Sequence, residues 1–243
     1  MWTLLFDDAL PAALFERVRR GVAEHPTIGA LYEHSFWFPV GATPRLDIEH
    51  AIVALGQLLP PTDGLAGAEW WVPALASSQG MEWHCDCDRI VYARDKQFVR
   101  PRISSILYLT ATGGPTLVAD DVAVDHRARR PRTDHGCTGL LPMPNRYGIF
   151  PGDRFHAVAS SDDEQLRITV AINWWAAKPS APLCIDTPYE APALARLIGP
   201  AGAPAAAATP RPAPQIELTA HQMAALPHRK FCPIYSRPPG GGG

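Results

Sequence analysis

Leu166-Arg167-Ile168-Thr169-Val170-Ala171-Ile172-Asn173-Trp174-Trp175 reads as one β-strand, rich in β-branched and aromatic side chains and free of glycine and proline. Successive side chains of a strand project to opposite faces. Ile168, Val170, Ile172 and Trp174 therefore share one face, and Arg167, Thr169, Ala171 and Asn173 share the other. The first face is a packing surface. The second carries a guanidinium, a hydroxyl and an amide, which an enclosed interior tolerates only when they are paired or used.

Shorter runs of the same character lie upstream: Glu69 to Val72, Met81 to Cys87, Ile103 to Leu109, Thr116 to Ala119, Gly148 to Phe150 and Phe155 to Ala159, separated by Gly, Pro and Asp turns. Their number and length predict a sandwich or barrel. Trp2 to Phe6 adds a strand, and a helix follows Pro11 with Leu14, Val18 and Val22 on one face and Asp8 or a neighbour as N-cap. Ile48, Ile52, Leu55 and Leu59 recur at helical spacing and predict a second helix over Leu46 to Leu59. The expected fold is mainly β with flanking helices.

Composition agrees with that class. Of 243 residues, 47% are hydrophobic and 19% charged, with 19 glycines and 26 prolines, a turn-rich chain ill suited to a helical bundle. The prolines divide evenly between residues 1–178 and 179–243, although the second stretch is barely a quarter of the length. Residues 1–178 are expected to form the folded domain, with a core at about 69–176, and 179–243 a largely flexible extension. Within it, Gly199 to Pro214 reads as an Ala/Pro/Gly linker, and Ile216 to Leu226 as a short helix starting near Thr219.

A formal net charge of −2 offers no basic field for nucleic acid. The cluster Arg127, Arg129, Arg130 and Arg132 reads as a solvated loop, as do His126 and His135 beside it. No apolar run approaches the ~20 residues that span a bilayer, and no secretory leader is evident, so a soluble, intracellular (for example cytoplasmic) chain is expected. Five cysteines, an odd number, fit reduced thiols.

His84-Cys85-Asp86 carries the chemistry. On an extended strand, His84 and Asp86 project from one side while Cys85 and Cys87 face away. An imidazole and a carboxylate converging on one point suit a divalent metal. A second histidine on another strand completes a two-His, one-carboxylate facial triad that leaves positions open for substrate and oxygen. His156 fits best, because Gly152-Asp153-Arg154-Phe155-His156 sets it just after a turn, at the start of a strand. Arg167 follows eleven residues later on the polar face.

The ordered set His84-x-Asp86, Gly113-Gly114-Pro115-Thr116, His156 and Arg167-Ile168-Thr169 resembles the Fe(II)- and 2-oxoglutarate-dependent dioxygenases, in particular the prolyl-4-hydroxylase-like branch. It covers roughly residues 80–176, with a weaker match at Phe6 to Val18. The resemblance implies a double-stranded β-helix, also called a jelly roll, of cupin-like form. It implies that His84, Asp86 and His156 hold Fe(II), and that Arg167 pairs with the distal carboxylate of 2-oxoglutarate. Thr169 matches an Arg-x-Ser/Thr pair and Tyr108 a strand tyrosine that also contacts the cosubstrate. O2 is the oxidant, and ascorbate supports activity. The implied reaction is hydroxylation of an unactivated C–H in an amino-acid side chain or small molecule, with 2-oxoglutarate decarboxylated to succinate. Relatives that halogenate carry a small residue where Asp86 stands, so hydroxylation or desaturation is favoured.

Other readings stand beside this one. Zinc at His84, Cys85 and Cys87 is disfavoured because adjacent strand residues point apart. A cupin-like metalloenzyme without an oxoacid, or an inert binding protein that recruits partners through its tail, would share the barrel. Asn173 shares the Arg167 face and Trp83 adjoins His84, so both are candidates to touch a small-molecule or peptidyl substrate. Met81, Trp70 and Trp71 form a candidate aromatic wall, and packing accounts for them as well. Asp121 to Asn145 and Ala30 to Pro44 are expected to be selectivity loops.

Overall fold

The computed structural model of the chain describes residues 2–23, 35–122, 131, 136–162, 164–180, 183–184 and 209–219. Among these, the elements in chain order are β1 (Leu4–Asp7), α1 (Ala12–Ala23), β2 (Phe36–Pro39), α2 (Asp47–Gly56), β3 (Gly67–Trp71), β4 (Ala74–Ala76) and β5 (Met81–His84). There follow α3 (Arg89–Asp95), β6 (Ile103–Tyr108), β7 (Thr116–Val122), β8 (Cys137–Leu140), β9 (Arg146–Pro151), β10 (Arg154–Val158) and β11 (Leu166–Trp175). Three short strands close the order: β12 (Leu183–Cys184), β13 (Arg211–Pro212) and β14 (Ile216–Leu218).

β11 has the bounds that its alternation predicts, and it lies inside the larger sheet, whose order is β12-β2-β3-β11-β6-β9-β1-β13 with β4 also on β11. All its pairings are antiparallel except β12 with β2. The smaller sheet runs β14-β8-β7-β10-β5 and is antiparallel throughout.

The apolar face of β11 meets the helices. Ile168, Val170, Ile172 and Trp174 pack in one cluster with Leu14, Val18 and Val22 of α1 and Ile48, Ile52 and Leu55 of α2. Each such side chain removed from water stabilises the fold by about 1.5–3 kcal/mol. The opposite face looks across to the smaller sheet, where Leu5, Tyr108 and Phe150 meet Val118 and Leu140. The molecule is a two-sheet β body with helices covering one outer face.

Local chemistry explains several boundaries. Glu49 of α2 reaches back to accept from the backbone N–H groups of Arg45 at 2.6 Å and Leu46 at 3.1 Å, tying down the helix start. Asp8, expected as a cap for α1, instead adopts φ +52° and takes the Arg211 guanidinium, while the Pro11 carbonyl accepts the Phe15 N–H and opens the helix.

Other expectations change. Ile216–Leu218 is strand β14, not the opening of a helix, because pairing with β8 offers its backbone a ladder that an isolated short helix lacks. Cys137–Leu140, inside the stretch expected to be a loop, is β8, held between β7 and β14. The basic cluster and both histidines near it lie outside the described residues, as do residues 30–34 and most of the Gly199 to Pro214 linker. No described helix is long and apolar enough to cross a membrane.

Candidate metal centre

His84 ends β5 and His156 lies opposite it on β10, directly paired in the antiparallel ladder. The ladders on both sides of β10 shift register at His156, a bulge that re-aims a side chain where a regular strand would not. The two imidazole rings stand 4.1 Å apart at 59°. Each Nδ1 faces the carbonyl two residues back, His84 to Glu82 at 2.8 Å and His156 to Arg154 at 3.2 Å. With Nδ1 donating, both Nε2 lone pairs point inward. Burial, together with the neighbouring His156, pushes His84 down to about 4, so its imidazole is neutral at pH 7 and able to ligate.

Asp86 lies two residues past the end of β5, beyond the extended strand expected for it. Its Oδ2 is 3.6 Å from His156 Nε2 and accepts a hydrogen bond from Asn173 Nδ2 at 3.1 Å. One ligand atom from each of His84, Asp86 and His156 lies within 4.8 Å of the others. Two imidazoles and one carboxylate are a donor set that fits a divalent iron.

The cysteines face elsewhere. Cys85 Sγ contacts the carbonyls of Asp86 and Gly152, and burial pushes its thiol up to about 12 and that of Cys87 to about 11. Among the described residues neither thiol joins the cluster of ligand atoms formed by His84, Asp86 and His156.

The cavity beside the triad runs along the inner face of β11, lined by Arg167, Thr169, Ala171 and Asn173 together with Thr116, Ser104, Trp71 and Phe150. Arg167 is 3% exposed. It donates to Thr116 Oγ1 at 2.7 Å and stacks 5.3 Å from the Tyr108 ring, while its Nε has no hydrogen-bond partner among the described residues. Burial lowers its pKa from the ordinary value, and Tyr108 opposes that shift. Among the described residues this buried guanidinium is met by the Thr116 hydroxyl and by Tyr108, not by a carboxylate, and such surroundings suit an anionic ligand. Gly113, at φ +90°, lies against its stem, where a Cβ would fall 2.7 Å from Arg167 Cδ.

Tyr108 is not among the cavity-lining residues. Its hydroxyl bonds Thr116 Oγ1 at 2.8 Å and the Leu140 carbonyl at 3.1 Å, so it buttresses the arginine pocket from behind. Trp83, expected beside a substrate, packs against the outer-face clusters around Leu117, Ala157 and Phe155. The reason is the strand alternation itself, since a neighbour of His84 on β5 cannot share its face. Of the candidate aromatic wall, Trp71 and Met81 line the cavity and Trp70 stacks on Phe36 in the helix-side core.

Sequence reasoning assigned no role to Thr116, although Gly113-Gly114-Pro115-Thr116 marked its place. Ser104 was also missed. Its buried hydroxyl lines the cavity without a partner among the described residues, and only the cross-strand pairing of Ser104 with Asn173 could have found it. A larger groove of about 830 Å³ between Trp2, Asp120, Arg154 and Glu217 has no comparable donor set, since Arg154 is already engaged by the Asp120 carbonyl and the Asp153 carboxylate.

No family model and no curated protein matches the chain. Solved structures do. A prolyl-4-hydroxylase from Pseudomonas putida aligns over 72% of this chain and 93% of its own, with 16% identity and a TM-score of 0.47. A Trichoplax adhaerens prolyl hydroxylase, in complex with a hypoxia inducible factor oxygen degradation domain peptide fragment, aligns over 72% and 83% with 10% identity and a TM-score of 0.44. An oxidoreductase of the 2OG-Fe(II) oxygenase family from Burkholderia pseudomallei aligns over 74% and 88% with 13% identity and a TM-score of 0.43. All three neighbours are prolyl hydroxylases or 2OG-Fe(II) oxygenases. Likeness at this level bears on no residue assignment, and the chemistry rests on the donor set.

Proposed function

We propose that this chain is a non-haem Fe(II) dioxygenase that couples oxidative decarboxylation of 2-oxoglutarate to hydroxylation of an unactivated C–H in an amino-acid side chain or small molecule. The observation that carries the proposal is the convergence of one ligand atom from each of His84, Asp86 and His156 beside a buried arginine that no described carboxylate pairs. In this reading the two-sheet body is a double-stranded β-helix. Residues 1–178 form the catalytic body and 179–243 an extension, three described strands of which lie on the sheet edges.

Iron, when bound, supplies the redox chemistry with O2, and ascorbate keeps it reduced. The residues do the rest. His84, Asp86 and His156 would hold the metal through one atom each. Arg167 binds the distal carboxylate of the oxoacid with its planar fork, and Thr116 Oγ1 fixes the angle of that fork by accepting from one terminal nitrogen. Thr169, on the same face of β11, adds a hydroxyl beside it. Trp71, Phe150 and Val158 shield the cavity from bulk water.

The test is succinate formation from 2-oxoglutarate by protein supplied with Fe(II) and ascorbate, which proceeds slowly without prime substrate. His84→Ala and Asp86→Ala abolish it. An anaerobic titration with Fe(II) and 2-oxoglutarate yields a visible charge-transfer band, and its absence overturns the proposal. Screening amino acids, peptides and small molecules for stimulated succinate release identifies the substrate.

A further inference from the structure

We infer that Asn173 is the positioning residue for Asp86, holding one carboxylate oxygen so that the group stays aimed at the metal. The inference rests on the metal-binding reading of His84, Asp86 and His156.

Each of the three ligands has an outer partner among the described residues, and these partners differ in kind. The histidines are oriented locally, each by the carbonyl two residues back on its own strand. Asp86 has left the ladder of β5, so no neighbouring backbone aims it in that way. Its partner is a side chain 87 residues away on the opposite sheet. Asn173 is itself firmly placed. It is 3% exposed, and its backbone is paired on both sides, with Glu69 of β3 and Ser104 of β6.

The residue type matters as much as the place. An amide N–H donates to a carboxylate without neutralising it, so the ligand keeps the charge that a divalent cation needs. A lysine or arginine there would compete with the metal for the same oxygen. An apolar residue would leave Asp86 Oδ2, 3.6 Å from His156 Nε2, without that donor and free to turn away from the point where the ligand atoms converge. Because Asn173 and Arg167 share the inner face of β11, one strand sets both the metal's carboxylate and the oxoacid's anchor.

Anaerobic Mn(II) titration followed by electron paramagnetic resonance tests this without turnover. Asn173→Leu keeps the bulk and removes the donor, Asn173→Ser removes the reach, and Asn173→Gln restores an amide. Removing an outer partner weakens metal binding about 10–100-fold. That loss is expected for the Leu and Ser variants at near-native melting temperature, with partial recovery in Gln and none of it in Arg167→Ala. If wild type binds Mn(II) and the Leu and Ser variants bind it within twofold of wild type, the inference is overturned and the metal site stands. If wild type binds no Mn(II), the functional reading itself falls. Should neither variant fold, a crystal structure of the wild-type Mn(II) complex decides, because an Asn173 Nδ2 more than 3.5 Å from the Asp86 carboxylate overturns the inference.

Discussion

Arg146 and Arg167 lie two strands apart on one sheet, both buried, in opposite circumstances. On the β9 wall, Arg146 makes a two-pronged pair with Asp7, at 2.6 and 3.0 Å, and reaches the Leu141 carbonyl with its remaining terminal nitrogen. On the β11 wall, Arg167 meets the Thr116 hydroxyl and Tyr108, and its Nε has no partner among the described residues. Desolvating a guanidinium is costly in both places, and only the first wall meets the cost from within the fold. The difference separates a charge paired within the fold from one that, on the proposed function, is kept for a ligand.

The comparison breaks most directly at Arg146. Arg146→Ala strands the Asp7 carboxylate, and urea unfolding should show a loss of about 3–5 kcal/mol, as for one partner removed from a buried pair. The 2-oxoglutarate requirement of the protein that remains folded should not change. Arg167→Ala should do the reverse. It raises the apparent 2-oxoglutarate requirement about 100-fold, equivalent to about 3 kcal/mol, with Mn(II) affinity and stability close to wild type. Equal losses in both readouts would make Arg167 structural.

A third buried charge sharpens the contrast from the acidic side. Glu69 accepts from Trp175 Nε1 at 3.0 Å, yet burial, reinforced by the Asp86 charge, pushes its carboxyl up to about 7 against the hydrogen bonds of Ser35 and Trp175. The folded chain thus holds a proton that the unfolded chain releases at about 4.5. Stability from this group is complete below that pH and is lost as the pH rises to about 7, by up to about 3 kcal/mol. Glu69→Gln should flatten that part of the stability profile of the metal-free protein, read as urea midpoints at pH 5 and pH 8. The smallest effect is at Gly113. Gly113→Ala meets both the positive φ and the Arg167 stem, so about 1–2 kcal/mol should be lost together with a several-fold weaker use of 2-oxoglutarate.

What could be read from residues alone was what repeats within one strand. β11 was legible in full because both faces alternate over ten residues, and α1 and α2 because their apolar residues recur at helical spacing. β8 was not, since Cys-Thr-Gly-Leu has no period and is a strand only by its neighbours. α3 buries no side chain, so no apolar stripe marks it, and the Asp88 carboxylate that caps it at the Ile90 and Val91 N–H groups is the only local sign. The site followed the same rule. Spacing brought His84, Asp86 and His156 to notice, whereas the tasks of Thr116, Ser104 and Asn173 depend on which strands lie side by side.

The short strands β13 and β14 come from one stretch of eight residues, yet one closes the larger sheet on β1 and the other the smaller sheet on β8. During synthesis the outer edge of β1 therefore waits for a partner some two hundred residues downstream, with Phe6 paired to Pro212. Contacts so distant along the chain form late and slowly, and an unpaired edge meanwhile invites other chains. A ribosome that stalls before Arg211 would leave a nascent protein holding His84, Asp86 and His156 and two open seams.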